Sequence, residues 1–246
     1  MAGETASAKF YDQTAEHVAV LINAAWDGLG PALSSAMTGL DTTTGPIVDV
    51  GAGTGAGTAV LAQALPGAEI LAVEPHPALR TALLARIAAN SDLTARVTVL
   101  DTDVLSAALP ERIAALVAMN VIGHLPPPDR RTLWAVLADK LAPSGRAVLN
   151  LYPPTKPETV PAAPMAEVRV GRRHYLGTAA AEPAGVDAIT WRMTYQVRED
   201  DQTVTEFTAA DHWYVFTPEQ LVAELAEHGL RCTAGDPTQG LQIITR

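Results

Sequence analysis

The sequence predicts an α/β protein whose central sheet is mainly parallel and covered by helices on both faces. Apolar runs without polar alternation are typical of strands that are buried on both faces, and helical segments separate these runs, as in βαβ units. The runs occur at about 46–50, 70–74, 96–100, 113–119 and 146–151. At 246 residues, the chain is long enough for one such domain with additional elements.

Helices are predicted before and between these strands. Residues 9–40 carry apolar side chains at helical spacing, in one group before Gly28 and in a second group after Pro31. A turn at 143–145 precedes the fifth strand. Within the α/β region, the predicted helices are about 57–65, Pro77 to about Asn90 and Pro128 to about Leu141, with a short helical turn at about 104–109.

The pattern changes after the fifth strand. Residues 153–164 contain five prolines, which predict a stiff, extended connector. At 189–198, apolar and polar residues alternate with period two, which is typical of a strand with one covered face. A partner strand at 203–215 follows a turn at 199–202, and about 166–176 is a third candidate strand. We therefore expect a small antiparallel sheet inserted into the α/β core.

The α/β region resumes with a well-marked helix. Thr217 is suited to the N-cap, Pro218 to the first helical position and Gln220 to the third, and Gly229 is suited to end the helix. Two short strands, at about 230–234 and 241–245, follow. The predicted division is an N-terminal helical segment at 1–44, the α/β core at 45–152, the connector and β insert at 153–215, and the closing elements at 216–246.

Composition narrows the classes of partner. The formal net charge of -10 and the isoelectric point near 5.0 argue against nucleic acid, because phosphate binding needs clustered Lys and Arg. The single cysteine, Cys232, excludes an intrachain disulfide and a cysteine-cluster metal site, and it fits a reducing cytoplasm. The N-terminal Met-Ala-Gly-Glu-Thr-Ala-Ser lacks a basic region, and no long apolar span occurs. We therefore expect neither a signal peptide nor a membrane helix.

A ligand site is predicted where the strands end. Gly51, Gly53 and Gly55 form the turn between the first strand and the first core helix. Glycines allow positive φ and close approach of a ligand, and the helix start offers free N–H groups. Open α/β sheets bind ligands outside the carboxyl ends of their strands. The other polar groups at these ends are Asp49, Glu74, Asp103 and Asn120-Val121.

Each acid has two interpretations. Glu74 could accept hydrogen bonds from both ribose hydroxyls of an adenosine, or it could be an acid at a helix N-terminus before Pro77. Asp103 could accept from an adenine amino group with the Val104 N–H beside the ring, or it could cap the short helical turn. Asp49 could face a cationic amino acid group, or it could only order the turn.

The residues of the glycine turn and of the strand ends resemble those of a known family. The set Asp49-x-Gly51-x-Gly53-x-Gly55, Glu74, Asp103 and Met119-Asn120-Val121-Ile122-Gly123-His124-Leu125 is similar to the class I S-adenosylmethionine-dependent methyltransferases. In particular, it resembles the small-molecule methyltransferases of bacterial secondary metabolism. The resemblance covers about 46–152 and, less closely, 217–246. It implies a Rossmann-like, doubly wound sheet of seven strands whose last strand is antiparallel, with the insert as a substrate cap.

The resemblance also implies a cofactor and a reaction. S-adenosylmethionine would donate a methyl group to an O, N or C atom of a small-molecule acceptor. The backbone of the glycine turn would hold the amino acid moiety, Glu74 the ribose and Asp103 with Val104 the adenine, while Asn120 would lie near the sulfonium. The implied cofactor-binding residues are Tyr11, Asp49, Gly51, Ala52, Gly53, Gly55, Glu74, Pro75, Asp103, Val104, Asn120 and Val121.

Candidates for the chemistry and for the acceptor lie after the fourth strand and in the insert. His124 could be a general base near the methyl group or could cap its loop, and many relatives have a histidine where this chain has Gly123. His212 could be a base or an ordinary strand histidine, and Tyr11 could close over the cofactor or simply pack. The candidate substrate-binding residues, which could equally be sheet core, are Trp191, Tyr195, Trp213 and Tyr214.

Two other functions fit part of the pattern. Gly51-x-Gly53-x-x-Ala56 also satisfies a relaxed dinucleotide fingerprint, and Glu74 would suit the ribose of an NAD(P)-dependent oxidoreductase. Against this alternative, Asp49 would lie close to a pyrophosphate and the strand end at Asp103 would have no role. The other alternative is a protein that binds S-adenosylmethionine without transferring a methyl group, as a binding or cyclase-like protein. The insert could also pair two copies into a homodimer.

Overall fold

The computed structural model describes residues 6–200 and 202–246, and the chain divides into two compact units. The core unit comprises Gly28–Tyr152 and Phe216–Arg246, and the sheet unit comprises the described residues up to Asp27 together with Pro153–Val215. The first five residues, which belong to the segment predicted to lack a signal peptide, lie outside the described residues. So does Asp201 of the predicted turn.

Helices and strands alternate along much of the chain, with exceptions in the core region as well as in the inserted strands. In chain order, the elements are α1 (Ala6–Ala36), β1 (Ile47–Val50), α2 (Ala56–Ala64), β2 (Ile70–Val73), α3 (Pro77–Ala88), α4 (Ser91–Arg96), β3 (Val97–Leu100), β4 (Ile113–Ala118), α5 (Pro127–Lys140), β5 (Leu141–Asn150), β6 (Val160–Val170), β7 (Arg173–Pro183), β8 (Ala188–Glu199), β9 (Gln202–Tyr214), α6 (Pro218–Ala226), β10 (Arg231–Ala234) and β11 (Leu241–Thr245).

The core unit contains a seven-stranded sheet in the order β10-β11-β5-β4-β1-β2-β3. Neighbouring strands from β5 to β3 are parallel, whereas β11 is antiparallel to both β5 and β10. All residues of β1 and β4 are buried, as expected for central strands covered on both faces. The predicted fold class is therefore confirmed. The order reverses at β1 and β4, so the carboxyl ends of these two strands flank the expected ligand crevice.

The N-terminal helix differs from the sequence prediction. Two apolar groups separated by Gly28 and Pro31 indicated more than one helix, but α1 is continuous and contains Pro31. A proline inside a helix removes one hydrogen bond and disfavours the preceding turn. Leu29 and Leu33 on either side of it are fully buried in the structure, and burial of such side chains outweighs the local cost.

The sheet unit contains a four-stranded antiparallel sheet in the order β6-β7-β8-β9. The candidate strand at 166–176 was wrong as a single strand, because the chain turns at Gly171, where φ is 59°, and forms the β6–β7 hairpin. The proline-rich connector also ends earlier than predicted, at Val160. Pro161 and Pro164 fit in β6 because it is an edge strand and its pairing register shifts beside them.

Three smaller differences concern the core unit. Helix α4 was missed, although Asn90 caps it by accepting hydrogen bonds from the N–H groups of Asp92 (2.9 Å) and Leu93 (3.3 Å). Residues 104–109 form turns without a helix, and β5 begins at Leu141 rather than after the predicted turn. Strand β5 can include that turn sequence because its pairing with β4 shifts register there.

The start of α6 is confirmed in detail. The Thr217 side chain accepts from the Gln220 N–H at 3.2 Å, and the Gln220 side chain accepts from the Thr217 N–H at 2.8 Å, which completes a capping box. Gly229, with φ at 71°, follows the helix end.

Among the described residues, no helix is long and apolar enough to cross a membrane, and no cluster of three or more His, Cys, Asp or Glu side chains could hold a metal ion.

Candidate cofactor site at the carboxyl edge of the core sheet

The glycine turn links β1 to α2 and has left-handed backbone at its three alternate glycines. The φ angles of Gly51, Gly53 and Gly55 are 62°, 57° and 82°. A Cβ at Gly51 would overlap the Val121 side chain, so glycine is required there for the loop after β4 to approach. A Cβ at Gly53 would meet only the Gly51 carbonyl at 3.7 Å, so this part of the turn borders open space.

Glu74 closes the turn from the neighbouring strand. Its Oε2 accepts a hydrogen bond from the Gly53 N–H at 2.8 Å, and its Oε1 accepts from the His76 N–H at 2.8 Å. The side chain is only 4% exposed, and burial raises the pKa of the carboxyl against the opposing effect of these hydrogen bonds. Arg80 donates to the Glu74 and Pro75 carbonyl oxygens, which fixes the backbone of this strand end.

Asp49 lies beneath the turn. Its Oδ2 accepts a hydrogen bond from the Thr58 hydroxyl at 2.6 Å, which joins β1 to the first turn of α2. Burial, together with the smaller effect of the nearby Glu74, raises the pKa of Asp49 to about 7 in spite of the Thr58 hydrogen bond. The structure therefore supports the ordering role of Asp49, while its role toward a cationic group stays a prediction.

Asp103 follows β3 and caps the next turn. Its Oδ1 accepts hydrogen bonds from the Leu105 N–H at 2.9 Å and the Ser106 N–H at 3.0 Å. The Val104 side chain is buried in the core of the unit. The capping interpretation is thus confirmed, and the proposed contact of this strand end with adenine stays a prediction, since one carboxylate can serve both roles.

Asn120 follows β4 in a left-handed conformation, with φ at 58°. Its N–H donates to Asn150 Oδ1 at 2.7 Å, and Asn150 Nδ2 donates to Asn120 Oδ1 at 2.7 Å. Sequence reasoning missed Asn150. The available signal was its position as the last residue of β5, since a polar side chain at a strand end had identified the other four positions.

His124 lies in a short 3₁₀ turn, Ile122–His124, directly after this segment. The backbone N–H of His124 donates to the Val121 carbonyl at 2.9 Å, which ties the turn to the residue beside Gly51. Burial lowers the pKa of His124 to about 4, so the imidazole is neutral at neutral pH. A neutral imidazole can accept a hydrogen bond or a proton.

The remaining candidates belong to the sheet unit, and its sheet separates them. Strand pairing places Trp191, Tyr195 and Trp213 on one face of the sheet and His212 on the other. Tyr214 shares the face of His212, and the two rings are 4.9 Å apart. Tyr11 lies on α1 and packs against the apolar cluster that contains Tyr195. These residues therefore do not form one group.

Two further titratable residues of the sheet unit were missed. Asp211 pairs with Trp191 across β8 and β9, is 3% exposed, and has a pKa that burial raises to about 6. His17 lies among Tyr175, Tyr195 and Phe207 with ring centroids 5.0 to 6.1 Å away, and within the described part of the chain its ring nitrogens have no hydrogen-bond partner. Their sequence contexts, an ordinary helix and an ordinary strand, carried no signal.

The edge of the core sheet fits an adenosyl amino acid. The turn at Gly53 is open to a ligand, and the buried hydroxyl of Thr54 beside it has no hydrogen-bond partner among the described residues, so it is available to a polar ligand group. The acids at 49 and 74 would attract an ammonium or a sulfonium and would repel a pyrophosphate. The residues present therefore fit S-adenosylmethionine better than a dinucleotide.

Comparisons with known proteins agree with this geometry. Residues 48–147 match the family model of a methyltransferase domain. No protein of curated function matches the sequence significantly.

Several solved structures have the same fold. CalS10 from Micromonospora echinaspora, an amino pentose methyltransferase involved in calicheamicin biosynthesis and solved with S-adenosylmethionine, is 21% identical with a TM-score of 0.73, over 90% of this chain and 91% of that chain. The sugar N-methyltransferase KedS8 from a Streptoalloteichus species is 20% identical with a TM-score of 0.68, over 88% and 86%. The glycopeptide N-methyltransferase MtfA, solved with S-adenosylmethionine, is 23% identical with a TM-score of 0.56, over 88% and 92%.

The matched segment contains the glycine turn, Glu74, Asp103 and the Asn120–His124 loop, which are the features that the resemblance had identified. The seven-stranded sheet and the additional four-stranded sheet complete the agreement at the level of fold. Residues 48–147 are therefore similar to a methyltransferase domain, and the chain shares its fold with methyltransferases that were solved with S-adenosylmethionine bound.

Proposed function

We propose that the protein transfers a methyl group from S-adenosylmethionine to an amino group of a small molecule, such as an amino sugar. The observation that carries the proposal is the Glu74 carboxylate, buried between the N–H groups of Gly53 and His76 beside an open glycine turn. This arrangement offers a charged acceptor to vicinal hydroxyls at a place where a nucleoside can approach the backbone.

The proposal includes a cofactor-binding role for each of the residues predicted from the sequence. Glu74 accepts from the ribose hydroxyls, the Gly51–Gly55 backbone and Thr54 hold the amino acid moiety, and the strand end at Asp103 and Val104 borders the adenine. Asn120 and Val121 line the site opposite the turn, and Tyr11 covers the cofactor. When bound, S-adenosylmethionine supplies an electrophilic methyl group on a sulfonium, so that the protein mainly needs to position the acceptor.

The properties of His124 favour an amine acceptor. General bases work best when their pKa lies near the operating pH, and the pKa of His124 is about 4. Such a weak base does little to ionise a hydroxyl. A neutral amine attacks with its own lone pair: the N–C bond forms, the S–C bond breaks, and the resulting ammonium releases its proton to water. In this proposal His124 orients the amine by accepting a hydrogen bond.

The acceptor class is also supported by the compared structures. CalS10 is an amino pentose methyltransferase, and KedS8 is a sugar N-methyltransferase. We propose that aromatic residues of the sheet unit recognise the acceptor. The contact lies either on the face with Trp191, Tyr195 and Trp213 or on the opposite face with His212 and Tyr214. Alanine variants of Trp191 and Tyr214 compare the two faces, and the acceptor KM should rise for one of them only.

The test is a comparison of matched acceptors. The purified protein is incubated with S-adenosylmethionine and either an amino sugar or its counterpart with a hydroxyl in place of the amine, and products are identified by mass spectrometry. We expect S-adenosylhomocysteine and a methylated amine from the amino sugar alone. Methylation of the hydroxyl counterpart would contradict the amine assignment. Cofactor binding without turnover on any acceptor would favour the non-methylating alternative, and NAD binding would favour the oxidoreductase.

Two organisational features belong to the same proposal. We expect the protein to act in the cytoplasm, where S-adenosylmethionine is made, and to form a homodimer through the inserted sheet. Light scattering coupled to size-exclusion chromatography should give twice the chain mass of 25.8 kDa. A monomeric mass at micromolar concentration would contradict the homodimer.

A further inference from the structure

The conformation of Asn120 needs support from its surroundings. A side chain with a Cβ rarely adopts positive φ, although asparagine does so more readily than most residues. Among the described non-glycine residues, only Asn120 and Asp200 have this backbone, and Asp200 lies in the exposed turn after β8. Asn120 lies in the turn that follows β4, and a left-handed residue with a Cβ persists where its neighbours hold it in place.

Asn150 supplies this support from the next strand. Its side chain is 4% exposed and contacts Asn120 twice, once at the backbone N–H and once at the side-chain oxygen, with both bonds at 2.7 Å. The first bond fixes the peptide plane that enters the left-handed residue, and the second fixes the direction of its amide. Strands β4 and β5 are parallel neighbours, so Asn120, just after β4, and Asn150, at the end of β5, lie at adjacent strand ends.

The next residue transmits this conformation to the glycine turn. Val121 packs so closely on Gly51 that a Cβ at Gly51 would overlap its side chain. The carbonyl of Val121 in turn accepts the His124 N–H at 2.9 Å. The conformation of Asn120 therefore determines where Val121 meets the turn and where the His124 loop begins.

We infer that Asn150 is a positioning residue for S-adenosylmethionine binding, which acts by holding Asn120 in its left-handed conformation. The inference rests on the proposed function, because it takes the edge with the glycine turn as the cofactor site. Asn150 does not need to touch the cofactor. Its effect reaches the site through the contact of Val121 with Gly51, so loss of Asn150 should weaken cofactor binding more than it weakens the fold.

The experiment measures S-adenosylhomocysteine binding by calorimetry, together with thermal unfolding. Asn150→Ala should weaken binding by roughly tenfold or more, as expected when buried hydrogen bonds are lost and a backbone N–H is left unpaired. Asn150→Asp should bind within about threefold of wild type, because its carboxylate can accept both from the Asn120 N–H and from a turned Asn120 amide. Asn90→Ala, which removes the helix cap of α4, is the matched control and should lower the melting temperature without changing the binding constant.

A double-mutant cycle separates positioning from general stability. Glycine adopts positive φ without a Cβ penalty, so Asn150→Ala should cost much less binding in an Asn120→Gly background than in wild type. Equal losses in both backgrounds would overturn the inference, as would wild-type affinity of Asn150→Ala. If Asn150→Ala does not fold, two other comparisons of the binding constant test the inference. The first compares Asn150→Asp with wild type, and the second compares Asn120→Gly with the variant that carries both Asn120→Gly and Asn150→Ala. No binding by the wild-type protein would overturn both the inference and the proposed function, whereas binding that is insensitive to Asn150 would overturn the inference alone.

Discussion

Two acids at the edge of the core sheet are almost fully buried. Asp49 and Glu74 are each 4% exposed, and burial raises the pKa of both. Within the described part of the chain, neither carboxylate forms a salt bridge. Burying an acid lowers the stability of a fold, and here hydrogen bonds from Thr58, Gly53 and His76 offset part of that cost. The role of the two acids toward a ligand stays a prediction.

Glu74→Gln tests the ribose contact. The amide keeps the shape of the side chain but loses its charge and one acceptor, so S-adenosylhomocysteine affinity should fall by roughly tenfold, the effect of losing a charged hydrogen bond. Isothermal titration calorimetry measures this change. Glu69→Gln, at an exposed position before β2, is the matched control and should bind as wild type. Unchanged affinity of Glu74→Gln would exclude the ribose role.

Asp49→Asn tests the cost of the buried acid. The pKa of Asp49 is raised from 3.8 to about 7, so the native state holds the proton more tightly than the unfolded chain does. The stabilising contribution is present below the unfolded pKa and is lost as the pH rises through about 7. Relative to Asp49→Asn, wild type should therefore lose on the order of 2 kcal/mol between pH 5 and pH 8. Urea denaturation at both pH values measures the difference, and a pH-independent difference would contradict it.

At the scale of elements, local chemistry identified some features and tertiary burial decided others. The capping box at Thr217 and the prolines that open α3 and α6 are local signals, and the structure confirms them. Pro31 is also a local signal, yet α1 continues through it because its neighbours are fully buried. The hairpin at Gly171 was missed because the alternation of residues does not show where one strand ends and its partner begins. Period-two patterns fix the face of a residue but not the position of a turn.

The same limit applies to the site. Glu74, Asp103 and Asn120 were found because each follows an apolar run, and the structure places each at a strand end. Asn150 occupies an equivalent position, but its importance depends on the φ angle of Asn120, which sequence does not reveal. The separation of His212 from Trp191 depends on strand register, which only pairing with β8 defines.

Helices α5 and α6 are joined by a buried ion pair. Arg130 donates to Glu224 at 2.9 and 2.6 Å, the Trp134 indole N–H donates to the same carboxylate at 2.9 Å, and the Arg130 guanidinium lies 3.9 Å from the Phe216 ring centroid. Burial alone would raise the pKa of Glu224, but these donors outweigh it and lower the pKa. The pair therefore fixes the packing of the two helices.

Glu224→Ala should destabilise the protein by about 3 to 5 kcal/mol, because it leaves Arg130 buried without a counter-charge. Chemical denaturation measures the free energy of unfolding. Glu227→Ala, at the exposed end of the same helix, should change it by less than about 0.5 kcal/mol. If both variants unfold alike, the ion pair does not contribute beyond an ordinary surface residue.

At the scale of the whole molecule, the chain is acidic, and two exposed arginines of the sheet unit form ion pairs. The formal net charge is -10, and Arg172 and Arg173 of the sheet unit both pair with Glu199, at 2.8 and 3.2 Å. Arg169, Arg172 and Arg173 lie close together in the sequence, and these ion pairs reduce the positive charge of the segment. The proposed small-molecule acceptor agrees with this balance, since polyanions need a surplus of cations.

We therefore expect no binding to DNA or RNA. Electrophoretic mobility of a labelled duplex and of a single strand should be unchanged at low salt and micromolar protein, conditions that favour electrostatic association. A variant that replaces Glu199 with Gln frees the two arginines and serves as a comparison. A shift with the wild-type protein that disappears as salt rises would show that a local patch overrides the net charge.

The two units alternate along the chain, since the segment that enters the sheet unit at Pro153 separates β5 from the remaining strands of the core unit. Strand β11 lies between β5 and β10 in the sheet, and Leu241 pairs with Asn150. During synthesis on the ribosome, the apolar edge of β5 therefore leaves the exit tunnel long before its partner is translated. A nascent chain with such an open edge is prone to association with other chains. The yield of soluble protein should thus depend on chaperone supply and on the speed at which the insert is translated, because the edge of β5 stays open until its partner strand has been made.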